Sequence, residues 1–103
     1  MLITSDHYAI EFPAGYEGRG EAEAPSRGYL SGVVVRMEDG AGYELFFVDP
    51  VRMQQELTGH VGDVQPYFWE PNLVILHEVT TETIRTAVEG LVKERFFQYL
   101  KPL

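Results

Sequence analysis

Along residues 7–12, HYAIEF, the apolar positions Tyr8, Ile10 and Phe12 alternate with His7, Ala9 and Glu11, the period of two expected of a half-buried strand. The pattern then stops. Residues 13–28, PAGYEGRGEAEAPSRG, string glycine, proline, alanine and glutamate together without an apolar period, which predicts a long mobile connection. Two β-rich runs follow on either side of EDGAG, within YLSGVVVRMEDGAGYELFFVD, and read as a hairpin. A three-residue loop flanked by Asp39 and Tyr43 sets Met37 opposite Leu45 and Val35 opposite Phe47. Glu38 and Arg36 then lie opposite Glu44 and Phe46 on the other face, and a loop glycine takes the left-handed conformation. A two-residue loop at Gly40 and Ala41 would mix the faces. In the favoured register Val34, Phe46 and Val48 still leave the second face partly apolar.

VDPVRMQQELTG predicts a helix over about 50–58: Asp49 as the capping residue, Pro50 at the first helical position and Gly59 just past the end. Pro50, Met53 and Leu57 share one stripe. PYFWE reads as a short extended piece, Pro71 and Asn72 as the centre of a turn, and LVILHEV as the most apolar strand. TTETIRTAVEGLVKERFFQYL predicts a long helix over about 81–100, capped by Thr80 with Glu82 in its first turn. Ile84, Val88, Leu91, Val92 and Tyr99 fall on one face at the helical period. Phe97 falls nearly opposite them and Arg95 within them. The expected fold is therefore one α+β domain over residues 1–103, a two-layer sandwich with a four- or five-stranded, mostly antiparallel sheet. A parallel crossover through the short helix to LVILHEV would make the sheet mixed.

Composition narrows the class. At 103 residues, 45% apolar and 13% aromatic, the chain has material for one core and buries about two-thirds of its unfolded surface. Sixteen acids against eight bases give a net charge of −8, which disfavours nucleic acid and anionic membranes as partners. The charge is uneven: Met1 to Ala24 carries five acids and one base, whereas Thr80 to Leu103 carries three acids and four bases. There is no cysteine, so disulfides and thiolate chemistry are excluded. MLITSDHYAIEF lacks the basic and apolar regions of a signal peptide, and LVIL is far short of the roughly 20 apolar residues that span a bilayer. A cytoplasmic location is the default expectation.

The residues that could carry chemistry do not assemble into a recognised pattern. His7, His60 and His77 are scattered; HVGD, with His60 three residues before Asp63, and the His77–Glu78 pair match no ligand spacing, so no metal and no cofactor is predicted. YLSGV has one glycine where a nucleophile elbow needs two. Glu21 with Glu23, and Glu38 with Asp39, sit in a loop and at a hairpin tip, where water keeps carboxylates ordinary. GYEGRG is followed by EAEAPS rather than a helix suited to pyrophosphate, and GHVGD lacks the lysine and hydroxyl of a Walker loop.

What remains is aromatic. In PYFWEPN, Tyr67, Phe68 and Trp69 are consecutive, and an extended segment sends them to alternate faces, so one core cannot take all three. The expected arrangement has Tyr67 and Trp69 facing the core and Phe68 covered by a helix, a loop or a partner. With Phe46 and Phe97 these rings form the candidate partner-binding set, since such residues are enriched in interface cores. The expected function is a small, acidic, non-catalytic protein-binding domain of the adaptor, inhibitor or antitoxin-like kind. It would dock a basic protein or associate with itself, through Phe96, Phe97 and Leu100 or through Phe46 and Val48. The alternative is a ligand-binding domain or enzyme with a pocket between sheet and long helix, drawing on Arg36, His77, Glu78 and Tyr99, with residues 15–28 as a lid.

Overall fold

The computed structural model describes residues 1–59 and 66–103. It shows an α+β architecture: a five-stranded mixed sheet in the order β1 (Leu2–Thr4), β2 (Tyr8–Glu11), β3 (Tyr29–Met37), β4 (Gly42–Val48) and β5 (Leu73–Ile75). The first four strands form an antiparallel meander, and β5 joins β4 in parallel after the crossover that contains α2 (Pro50–Thr58). α1 (Glu21–Arg27) precedes β3, and α3 (Thr81–Lys93) follows β5.

The core lies on one sheet face. Ile10, Val33, Val35, Leu45 and Phe47 are fully buried there together with Ile84 and Val88 of α3, so the alternation of each strand meets the apolar stripe of the helix. Thr80 caps α3 by accepting from the Thr83 N–H at 3.0 Å, while the Thr83 hydroxyl oxygen accepts from the Thr80 N–H at 2.9 Å. This reciprocal arrangement satisfies two groups that the first turn leaves open. Asp49 caps α2 in the same way, accepting from the Arg52 N–H at 2.7 Å.

The hairpin keeps its expected loop length and faces but not its expected partners. Val33 pairs with Leu45 and Val35 with Tyr43, and the loop is Glu38–Gly40, closed by Met37 N–H to Ala41 O at 2.8 Å. Gly40 holds the left-handed conformation at φ 93°, and the Asp39 carboxylate accepts from the Ala41 N–H. Between Val33 and Met37 the strands slip from the expected register by an even number of residues, which leaves those side chains on their faces and is invisible to an alternation argument. A bulge between Leu30 and Val33, with Gly32 at φ 78°, then shifts the pairing so that Leu30 meets Phe47.

Three further expectations are corrected. Residues 13–28 are not a featureless connection: a wide turn, Tyr16–Gly20, leads into α1. Tyr16 is buried, stacks on Phe12 at 4.7 Å and hydrogen-bonds the Thr81 hydroxyl at 2.7 Å. Thr81 gives its own proton to Glu21, so Tyr16 is the donor to Thr81, and burial pushes its phenol pKa up. Pro25 argues against a helix here, but in a seven-residue helix it removes only one hydrogen bond. Second, the apolar run LVILHEV contributes only three strand residues, with His77 and Glu78 exposed. Third, α3 stops at Lys93 rather than near residue 100: Arg95 turns left-handed at φ 60° and a 3₁₀ turn, Phe96–Tyr99, follows. β1, three residues long, carries no alternation of its own and forms by pairing with β2.

Gly28 joins two helix ends. It terminates α1 at φ 74°, donating to Ala24 O at 3.0 Å, and accepts from the Asp49 N–H at 2.8 Å. A methyl group there would lie 2.8 Å from both Asp49 carboxylate oxygens. Gly28→Ala is therefore expected to lower stability by about 2–3 kcal/mol, combining left-handed strain with a disturbed cap. In urea denaturation, adding it to Asp49→Ala should cost less than the sum of the two single changes.

His7 Nδ1 lies 3.1 Å from the Glu38 carboxylate, tying the first turn to the hairpin tip. The hydrogen bond and charge of Glu38 raise the imidazole pKa above its ordinary value. Because the folded pKa is the higher one, the pair's contribution is complete below about pH 6.5 while Glu38 is ionised, and is lost as pH rises through the raised value. Thermal midpoints across that range should fall for the native chain relative to His7→Gln.

Candidate docking surface

The aromatic run alternates, but in the opposite phase to that expected. Tyr67 and Trp69 are 74% and 72% exposed, while Phe68 is half-buried. The reason lies on the second face of the sheet, where Phe46 points away from the core occupied by Leu45 and Phe47. The Phe68 ring sits 6.2 Å from that of Phe46, Phe46 lies 6.4 Å from Tyr29, and the Arg52 guanidinium of α2 stands 4.4 Å over Tyr29. The face opposite the core thus draws in the middle ring, and the flanking rings turn outward.

Phe97 leaves the surface altogether. The turn after Arg95 carries it into the core, where it is 4% exposed and meets Tyr43 edge-on at 5.1 Å. Its neighbours take the exposed positions, Phe96 at 47% and Tyr99 at 77%. Of the five expected partner-binding residues, the structure leaves Tyr67 and Trp69 open, half-covers Phe46 and Phe68 against each other, and buries Phe97.

Trp69 and Tyr99 line one depression of about 450 Å³ together with Glu70, Pro71, Asn72, Leu73, Leu100 and Lys101. Asn72 builds it. In the turn before β5 this residue adopts φ 57°, a conformation asparagine tolerates better than most. Its side-chain NH₂ donates to Glu44 O at 3.0 Å and Lys101 O at 2.8 Å, and its carbonyl accepts from the Lys101 N–H at 2.8 Å. Leu103 N–H continues the pairing to Gly42 O at 2.8 Å. Residues 101–103 are thereby laid beside the first half of β4, next to β5, and the arm bearing Trp69 is fixed against the segment bearing Tyr99. The sequence places Tyr99 on the helical face of Ile84 and Val88, but the helix ends at Lys93, and the doubled phenylalanine that spoils the helical period at 96–97 is the signal of that end.

Residues of the alternative, catalytic reading are not gathered. Arg36 pairs with Glu11 at 2.5 Å and lines a depression beside His7; His77 lines a groove against α3; Tyr99 lines the depression beside Trp69. The stretch expected as a lid is the turn anchored by Tyr16. Among the described residues no charged side chain is buried, the buried Tyr16 has its hydroxyl bonded to Thr81, and no cluster of three or more His, Cys, Asp or Glu is placed to hold a metal ion. His60 and Asp63 lie outside the described residues. No helix among those described is long and apolar enough to cross a membrane. Compared with protein-family models, curated proteins and solved structures, the chain matches none.

Truncating rings should separate packing from surface. Phe97→Ala is expected to lower unfolding free energy by about 3–5 kcal/mol. Tyr67→Ala and Trp69→Ala should each change it by no more than about 0.5 kcal/mol in the same urea titrations.

Proposed function

We propose that this chain is a small protein-binding domain of the adaptor, inhibitor or antitoxin-like kind, docking through the surface that Tyr67, Trp69 and Tyr99 present. The exposure of Trp69 and Tyr99 around one depression carries this reading. Large rings of this kind bring wide contact area with few rotatable bonds, and they dominate the energetics of protein interfaces. The Asn72 bonds hold both ring-bearing segments in place beforehand, so less ordering entropy is lost on docking.

A net charge of −8 favours encounter with a basic protein. It also makes self-association through the same rings a second outcome that salt distinguishes. Added salt screens the attraction to a basic partner and screens the repulsion between two acidic copies, so the two respond in opposite directions.

Trp69 is the single tryptophan and reports on its own surface. Its emission is expected to be water-like and quenchable by iodide in dilute solution. It should shift to the blue either with rising concentration, together with a mass above 11.7 kDa in sedimentation equilibrium, or on titration with lysine- and arginine-rich polypeptides. Trp69→Phe with Tyr99→Ala should weaken the association, followed by mass or by a label on the polypeptide, about thirty-fold or more, the scale of a hot spot. Unchanged emission and a constant mass through all of these titrations would remove the reading.

A further inference from the structure

β5 is an edge strand, and its register states which of its main-chain groups are in use. Phe46 N–H donates to Asn72 O at 3.2 Å and Leu76 N–H donates to Val48 O at 2.9 Å, with Phe46, Phe47 and Val48 opposite Leu73, Val74 and Ile75. In a parallel ladder alternate residues of a strand bond the same neighbour. Val74 therefore turns its N–H and C=O to β4, while Leu73 and Ile75 turn theirs to the open edge, where no strand among the described residues meets them.

The edge overlooks a groove. Ile75, Leu76 and His77 form one wall and Glu82, Thr83, Thr86 and Ala87 of α3 the other, enclosing about 320 Å³. Glu82 brings the charge of an acid, no lysine or arginine lines the groove, and Ile75 is 58% exposed. At its other end β5 contributes Leu73 to the depression beside Trp69 and Tyr99. The aromatic depression and the groove that holds Glu82 thus lie at opposite ends of β5.

We propose that an extended peptide segment of a partner, with apolar residues at alternate positions and a lysine or arginine at the end facing Glu82, adds to β5 as a sixth strand over the α3 groove. Strand addition takes affinity from the main-chain groups of Leu73 and Ile75 and specificity from alternate side chains. The aromatic depression receives one end of the segment, and the carboxylate of Glu82 meets its basic residue at the other. Natural edges are blunted by short length, inward charges, proline or a cover; β5 is short at three residues, but LVI carries neither charge nor proline. This inference rests on the reading of the chain as a protein-binding domain and names the mode and the chemistry of its ligand.

The test is selection from a random library of synthetic peptides, followed by amide exchange measured by NMR. Enriched peptides are expected to alternate apolar residues and to carry lysine or arginine at one end. The Leu73 and Ile75 amides should exchange fast in the free chain and at least ten-fold more slowly with peptide bound. Methylating alternate peptide amides should abolish binding, and Thr86→Arg and Glu82→Lys, both at exposed positions, should each weaken it ten-fold or more without altering the fold. Peptides that bind but leave Leu73 and Ile75 unprotected, and lose affinity only in Trp69→Ala, would overturn strand addition while leaving the docking reading intact. A library that enriches nothing would overturn it too. So would protection of the two amides that appears without peptide and rises with concentration as the mass doubles, because a second copy would then occupy the edge.

Discussion

β4 is apolar on both faces, and the need to cover both organises the rest of the chain. Leu45 and Phe47 turn to one side and Phe46 and Val48 to the other, and Leu45, Phe47 and Val48 are all fully buried. A sheet with only one helical layer would leave Phe46 and Val48 in water. At about 25 cal/mol per Å², an exposed ring and a branched chain at the centre of a sheet are expensive enough to recruit cover. On the first side the cover is α3 together with Phe97, carried inward by the turn at Arg95. On the second side Phe68 lies against Phe46, with Tyr29 and Arg52 continuing the stack.

The exposed aromatic surface follows from that demand. Once Phe68 is committed to Phe46, the pleat of an extended segment requires Tyr67 and Trp69 to face outward. Once α3 is broken to bring Phe97 in, Tyr99 is carried out to 77% exposure. One requirement of the core and one of the opposite sheet face thus place aromatic rings on the surface, and the bonds of Asn72 to residue 101 bring their two segments together. That surface reaches β5 through Leu73, and no strand among the described residues pairs with the other edge of β5.

How much of this was legible in the sequence differs by residue. The helix over 50–58 was, because Asp49, Pro50 and Gly59 act through the backbone of their immediate neighbours. The start of α3 was as well, through Thr80. The faces of β4 and of β3 from Val33 to Met37 were readable because side-chain direction has a period of two, whereas the bulge at Gly32 turns Tyr29 and Leu30 over. The pairing partners were not readable, since a slip by an even number of residues preserves that period. The helix α1 was hidden by Pro25 and by small residues whose only core commitment, Ala24, looks like nothing in isolation. The break at Arg95 carries no glycine or proline to announce it.

The sequence by itself determined the α+β class, the acidic charge, the helix caps and the fact that more large rings exist than one core face needs, because these depend on composition and on contacts a few residues apart. Only the tertiary structure decided which rings are covered. That choice is a competition between Phe46, Phe68 and Phe97 for partners tens of residues away in the chain, and its outcome depends on the distances at which the sheet, α3 and the turn before β5 finally meet.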